Sequence, residues 1–252
     1  MNCSSLMTVH YEERGDGNPG PIIMVHGAGG SSATWYLQIK NLSKHLYVIA
    51  IDLNGHGKTP DRNEDDVTRS YLSDIESVIL QFEKPVLCGH SMGGALTQLF
   101  AMEKPEVLAG IILVGTGARL RVNPMIFNLL ENDFEGYVEA VAEFLFHDDA
   151  DDSLKEATKA EVRKCPASIT RRDFELCDNF DMMEKVASIY LPTLVIVGDG
   201  DVLTPEKYSR YLADKISTSQ FEVISMAGHS VMLEQPKAFN DIVAKWYRRL
   251  TT

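Results

Sequence analysis

Short apolar runs recur along the chain with longer helical stretches between them, and that alternation limits the fold more than any other feature. The runs are Ile22–Val25, Tyr47–Ile51, Pro85–Cys88, Ile111–Val114, Thr193–Val197 and Phe221–Ile224. Several are unbroken β-branched or aliphatic stretches, too short for a stable helix. They read as strands buried on both faces, the habit of a mainly parallel sheet covered by helices. An earlier segment, Thr8–Glu13, alternates instead and is followed by Gly15-Asp16-Gly17-Asn18, a turn signal. It is expected as an antiparallel edge strand.

Periodicity and caps place the helices. A stretch from Thr68 carries Tyr71, Ile75, Val78 and Ile79 on one side, and one after Ser91 carries Ala95, Leu96, Leu99 and Met102 before stopping at Pro105. Pro236 opens a last helix through Phe239, Ile242, Val243 and Trp246. Between Ile111–Val114 and Thr193–Val197 the strand signal lapses. Asn123-Pro124 caps one helix there, and Phe134, Tyr137, Val138, Val141, Phe144 and Leu145 form the stripe of a second. Thr170 with Asp173 reads as the capping box of a third. The expected organisation is a core of residues 1–119 and 187–252 with a helical insertion at 120–186, standing on the strand ends of the sheet.

Charge removes several function classes. With 36 acidic against 24 basic side chains the formal charge is −12, a field that repels nucleic-acid phosphates and anionic lipid surfaces. No apolar run is long enough to span a bilayer, and Met1 to Leu6 carry neither a basic nor an apolar leader region. Cys3, Cys88, Cys165 and Cys177 lack metal-ligand spacing, so no metal is expected and a reduced, cytoplasmic setting fits best. The acidic run from His147 to Asp152 lacks the glycine and terminal acid of a calcium loop and reads as a solvated surface. Oligomeric state is not legible.

The chemistry centres on Cys88-Gly89-His90-Ser91-Met92-Gly93-Gly94, a G-x-S-x-G between a strand and a helix. A sharp turn there lifts a seryl hydroxyl above the sheet, and flanking glycines leave room for the crowded backbone. A nucleophilic serine needs a base. Gly228-His229-Ser230 follows the last strand, where a loop can hang an imidazole over the sheet; His90, inside the motif, reads as a packing or supporting residue. The carboxylate that orients the imidazole should come from Gly198-Asp199-Gly200-Asp201 after the Thr193–Val197 strand. Asp201 is preferred over Asp199 because the loop must extend beyond Gly198 before a side chain can reach across. The oxyanion donors are expected from the N–H of Met92 and from Ala28 in His26-Gly27-Ala28-Gly29-Gly30. That glycine run lacks the Lys-Ser/Thr of a phosphate loop, which weakens a phosphate-cradle reading.

These motifs, with Asp52-Leu53-Asn54-Gly55-His56-Gly57-Lys58-Thr59, resemble the α/β-hydrolase superfamily in its smaller, capped esterase and lactonase-like branch. The order Ser91, Asp201, His229 matches that family's triad. Asn54 and Thr59 stand where Pro and Ser are common, and the segment before Ile22 is shorter than usual. The resemblance implies an α/β-hydrolase fold with a helical cap inserted after the sixth strand and a serine hydrolase acting on a small-molecule ester without cofactor. From the cap, Met125, Phe127, Leu130, Tyr137, Phe144 and Met183 are the expected substrate contacts. Lactone, thioester and carbon–carbon bond hydrolysis use the same triad and stay open, the last with Arg119, Arg121 or Asn123 as polar partners. So does a slow-turnover ligand receptor.

Overall fold

In the computed structural model, which describes residues 9–251, the expected strands join one sheet. The strands are β1 (Tyr11–Arg14), β2 (Ile22–Val25), β3 (Val48–Ile51), β4 (Val86–His90), β5 (Gly110–Val114), β6 (Thr193–Gly198) and β7 (Ser219–Ile224), in the order β1-β3-β2-β4-β5-β6-β7. Every pairing is parallel except β1 against β3, where Tyr11 faces Ile51 and Arg14 faces Val48. The edge strand therefore forms as expected, although it begins at Tyr11, and Thr8 lies outside the described residues.

The period of two along each strand feeds two cores. Ile23, Val25, Ile49, Ile51, Leu87, Ile111, Leu113 and Val195 point to one face, where they meet α2 (Val67–Ile79), α3 (Met92–Glu103) and Leu212 of α8 (Glu206–Lys215). Ile22, Met24, Val48, Ala50, Cys88, Ile112, Val114 and Ile196 point to the other. There they meet Trp35, Leu42 beyond α1 (Tyr36–Asn41), Val231 of the short α9 (Val231–Glu234), and Phe239, Val243 and Trp246 of α10 (Pro236–Leu250). Burial of both faces explains why these strands read as apolar runs without alternation.

The helical stretch contains α4 (Pro124–Asn132), α5 (Phe134–Leu145), α6 (Asp152–Val162) and α7 (Ala167–Asn179). The Asn123 side chain accepts from Met125 N at 3.0 Å with Pro124 behind it, as its sequence implies. Two expectations change. Counted among the described residues, the insertion follows the fifth strand, not the sixth, because only β1 precedes β2. Thr170 and Asp173 do not start a helix: Pro166 does, and both residues lie inside α7, where they face the core. Leu130, Tyr137, Val138 and Val141 give α4 and α5 a small core of their own, whereas Leu176 and Cys177 of α7 join the main core. Among the described residues, no helix is long and apolar enough to cross a membrane.

The strand order reverses at β2 and β4, so the loops leaving their carboxyl ends diverge and open a crevice above the sheet. Helix α10 closes the far face through Phe239, fully buried with its ring 6.1 Å from that of Trp35. Phe239→Ala should cost about 3–5 kcal/mol by leaving a cavity between α10 and the sheet. Urea unfolding should show it as a lowered midpoint with an unchanged slope.

Candidate active site

Strand β4 runs two residues further than its apolar run suggests. Gly89 pairs with Leu113 and His90 with Val114, which carries the ladder to the residue before Ser91. A side chain at Gly89 would collide with the carbonyl of Gly93, so glycine is what lets α3 start this close to the strand. Ser91 then turns the chain with φ 53° and ψ −115°, a conformation L-residues avoid. Its N–H donates to Val114 O at 2.9 Å. Its carbonyl accepts from Gly94 N and from Thr116 Oγ1, each at 2.9 Å. The strained turn is thereby pinned from β5 as well as from α3, and the half-buried side chain leaves the sheet at the N-terminus of α3.

His229 sits on the loop between β7 and α9, with its side chain 4% exposed. Its Nδ1 lies 2.8 Å from Asp201 Oδ2, and because a carboxylate only accepts, Nδ1 carries the proton. In the neutral ring Nε2 is then the basic nitrogen. Asp201 is itself fixed: Oδ1 accepts from Leu203 N at 3.0 Å and Thr204 N at 2.8 Å, and Thr204 Oγ1 donates to Oδ2 at 2.8 Å. Burial works to raise the Asp201 pKa, but His229 and these donors outweigh it and hold the carboxyl below its ordinary range. Asp199 does not reach the imidazole; its Oδ1 faces Ala227 N in the turn, at 3.4 Å.

His90 ties the Ser91 turn to the His229 loop. Its Nε2–H donates to the carbonyl of His229 at 3.0 Å, and the two rings lie 4.6 Å apart. Burial, with His229 beside it, pushes His90 down to about 3, so it stays neutral. On the opposite side of Ser91 runs the loop after β2. Gly27 approaches so closely that a Cβ built on it would lie 3.2 Å from Ser91 Cβ. Gly30 N donates to Gly27 O at 3.1 Å and closes a tight turn around Ala28, while Met92 N heads α3.

Three supporting residues escaped the sequence reading. Thr204 has a legible signal, since Asp-x-x-Thr before Pro205 is an Asx-type turn. Glu234 accepts from Gly228 N at 2.7 Å and from His147 N at 2.6 Å, stitching the His229 loop to the end of α5, where Leu145 O also accepts from Ser230 N. Asp173 pairs with His56, at 2.8 Å between Oδ2 and Nε2, with both side chains inaccessible to solvent. Apart from Gly228, the partners of Glu234 and Asp173 lie far away in the chain, so no local pattern marks these two carboxylates.

The expected substrate contacts differ in their surroundings. Leu130 and Tyr137 pack inside the insertion, Tyr137 stacking on Phe134 with ring centroids 6.0 Å apart. Met125 and Phe144 are exposed, Phe127 is half-buried, and Met183 packs against the main core.

A mostly parallel sheet with a serine at a strained strand-to-helix turn, and an Asp–His pair on the neighbouring loops, defines the α/β-hydrolase class. The chain belongs to the alpha/beta hydrolase family, whose model matches residues 22–242. It is 29% identical to the 2-hydroxy-6-oxo-6-(2'-aminophenyl)hexa-2,4-dienoic acid hydrolase of Metapseudomonas resinovorans, over 99% of this chain and 90% of that protein. It is 25% identical to 3-oxoadipate enol-lactonase 1 of Acinetobacter baylyi, over 96% of this chain and 94% of that one. A solved thermophilic esterase superposes with a TM-score of 0.84 at 31% identity, covering 96% of this chain and 99% of its own. These homologues are hydrolases.

Histidine charge states set the pH response. Both His56 nitrogens face acceptors, Asn54 O at 3.2 Å and Asp173, so the ring is an imidazolium. Burial alone would depress His56, yet the Asp173 carboxylate prevails and pushes it up to about 10. Burial, and the His56 cation next to it, push His26 down to about 4. A raised pKa gives stability that is complete below the unfolded value near 6.5 and is lost as pH climbs to about 10. The depressed His26 and His90 act in the opposite sense and withdraw stability as pH falls below about 6.5. Urea midpoints across pH should therefore peak near 6.5, and His56→Gln should flatten the alkaline side.

Proposed function

We propose that the protein is a serine hydrolase that cleaves small carboxylic esters through an acyl-enzyme, with Ser91, His229 and Asp201 as its triad. The observation that carries this reading is the 2.8 Å contact between His229 Nδ1 and Asp201 Oδ2, which leaves Nε2 basic on the loop beside the strained Ser91 turn. His229 takes the Ser91 proton as the hydroxyl oxygen attacks the ester carbonyl. The tetrahedral oxyanion is received by the N–H groups of Ala28 and Met92, and His229 returns the proton to the leaving alcohol. Water, deprotonated by the same imidazole, then releases the acid. Asp201 keeps the tautomer and stabilises the transient imidazolium.

The insertion, residues 120–186, serves in this proposal as a cap over the core of 1–119 and 187–252. We assign acyl contact to Met125, Phe127, Phe144 and Met183 rather than to Leu130 and Tyr137, whose surfaces the insertion's own core consumes. Ester hydrolysis is preferred over lactone or carbon–carbon cleavage because an esterase stands at 31% identity over nearly the whole chain.

Ser91→Ala should lower turnover of p-nitrophenyl butyrate by roughly 10⁴-fold or more. Full activity in that variant would sink the assignment. Asp201→Asn should reduce kcat by roughly 10⁴-fold through the wrong tautomer, with Asp199→Asn close to wild type. Steady-state rates on ester, lactone, thioester and dienone substrates measured side by side test the substrate class, and a single burst without turnover would indicate a receptor.

A further inference from the structure

We propose that Asp173, carried by α7 of the insertion, is a positioning residue that holds the oxyanion loop in its working geometry. The inference rests on the serine-hydrolase reading above. Asp173 is fully buried, and its carboxylate receives three donors from three separate segments. Oδ2 accepts from Gly29 N and from His56 Nε2, both at 2.8 Å, and Oδ1 accepts from Tyr71 OH at 2.5 Å.

Gly29 directly follows Ala28. The Gly29 N–H belongs to the peptide plane that leaves Ala28, so anchoring it to Asp173 limits the rotation of Ala28 and the direction of its own N–H. The other side of the turn is set by Gly30 N on Gly27 O and by the contact of Gly27 with Ser91. Thr170, one turn before Asp173 on the same helix face, adds a steric stop. Gly29 has φ +65°, and a Cβ there would come within 3.0 Å of Thr170 Cγ2 and Oγ1. One face of an insertion helix thus seats the loop twice, by a hydrogen bond and by packing.

A carboxylate suits this position because each of its oxygens only accepts. An Asn of the same shape would turn an amide N–H toward either the shared site of Gly29 and His56 or the Tyr71 hydroxyl, and the His56 cation would lose its counter-charge. A displaced oxyanion donor is felt where negative charge develops, in the transition state, and little in substrate binding.

The test compares Asp173→Asn, Thr170→Ala and Tyr71→Phe with wild type on p-nitrophenyl butyrate, taking kcat per site labelled by a fluorophosphonate so that only competent molecules count. Asp173→Asn should lose about 10²-fold in kcat with KM little changed, and bind a trifluoromethyl ketone analogue more weakly by the same factor. Thr170→Ala, whose hydroxyl has no partner among the described residues, should fold and lose about tenfold in kcat. Tyr71→Phe, which leaves the Gly29 bond in place, should lower the melting temperature and keep kcat. An unchanged kcat in Asp173→Asn overturns the inference, as does an unchanged kcat in Thr170→Ala should the Asn variant yield no folded protein. So does a Tyr71→Phe variant that loses kcat as much as Asp173→Asn. Wild type that takes no label at Ser91 overturns the hydrolase reading itself, whereas labelled wild type beside an indifferent Asp173→Asn overturns the inference alone.

Discussion

The backbone at Ser91 is held at φ 53° and ψ −115°, and much of the fold serves to keep it there. Such a conformation costs about 1–3 kcal/mol and persists only where its surroundings over-determine it. Here β4 lies in the middle of the sheet, paired through His90, so the strand cannot relax by unzipping its last residues. Val114 takes the Ser91 N–H, Thr116 and the first turn of α3 take its carbonyl, and Gly89 permits the close approach of strand and helix. The hydroxyl then leaves the sheet at the crevice where strand order reverses, between loops that bring an imidazole from one side and backbone donors from the other.

Buried and half-buried carboxylates organise the surroundings of that crevice. Asp201 orients His229, Glu234 ties the His229 loop to His147, and Asp173 joins α7 to the loop after β2. Asp52 does similar work just beyond β3, accepting from Ser32 N at 2.6 Å and Lys58 N at 2.9 Å. Each carboxylate has at least one donor from a separate segment of the chain: His229 for Asp201, His147 for Glu234, Gly29 for Asp173 and Ser32 for Asp52. Apolar packing alone would not fix such loops, because it is non-directional, whereas a buried acceptor specifies which N–H must be where.

The inner strands β2 to β6 were legible because both of their faces are buried, which writes each as an apolar run; β1 and β7, at the edges, are only partly covered. Ser91, Asp201 and His229 could be singled out because each follows a strand end and is flanked by glycine. Strand ends were less legible: β4 includes Gly89 and His90, which carry no strand propensity and pair only because β5 lies alongside. Thr170 and Asp173 fit a capping-box spacing, and the true start at Pro166 lacks a side-chain cap, so the local pattern misled. Asp173, Glu234 and their partners depend on contacts across more than 80 residues in all but one case, and no local pattern records those. The insertion's side chains were read from periodicity, which reports that a residue is buried without saying against what.

The insertion is divided in a way that matters for exchange between relatives. Helices α4 and α5 share a core that the sheet does not enter, but Val162 of α6 and Ala167 and Phe174 of α7 pack against it. Helix α7 is different, because it is rooted in the main core through Leu176 and Cys177 and reaches the loop after β2. A cut at the turn around Pro166, ahead of α7, would therefore pass through a packed interface, with Phe174 edge-on to Tyr137 at 6.1 Å between ring centroids. A transplant of α4 to α6 keeps its footing only if the incoming helices fit the two side chains that α7 presents to them, Ala167 and Phe174.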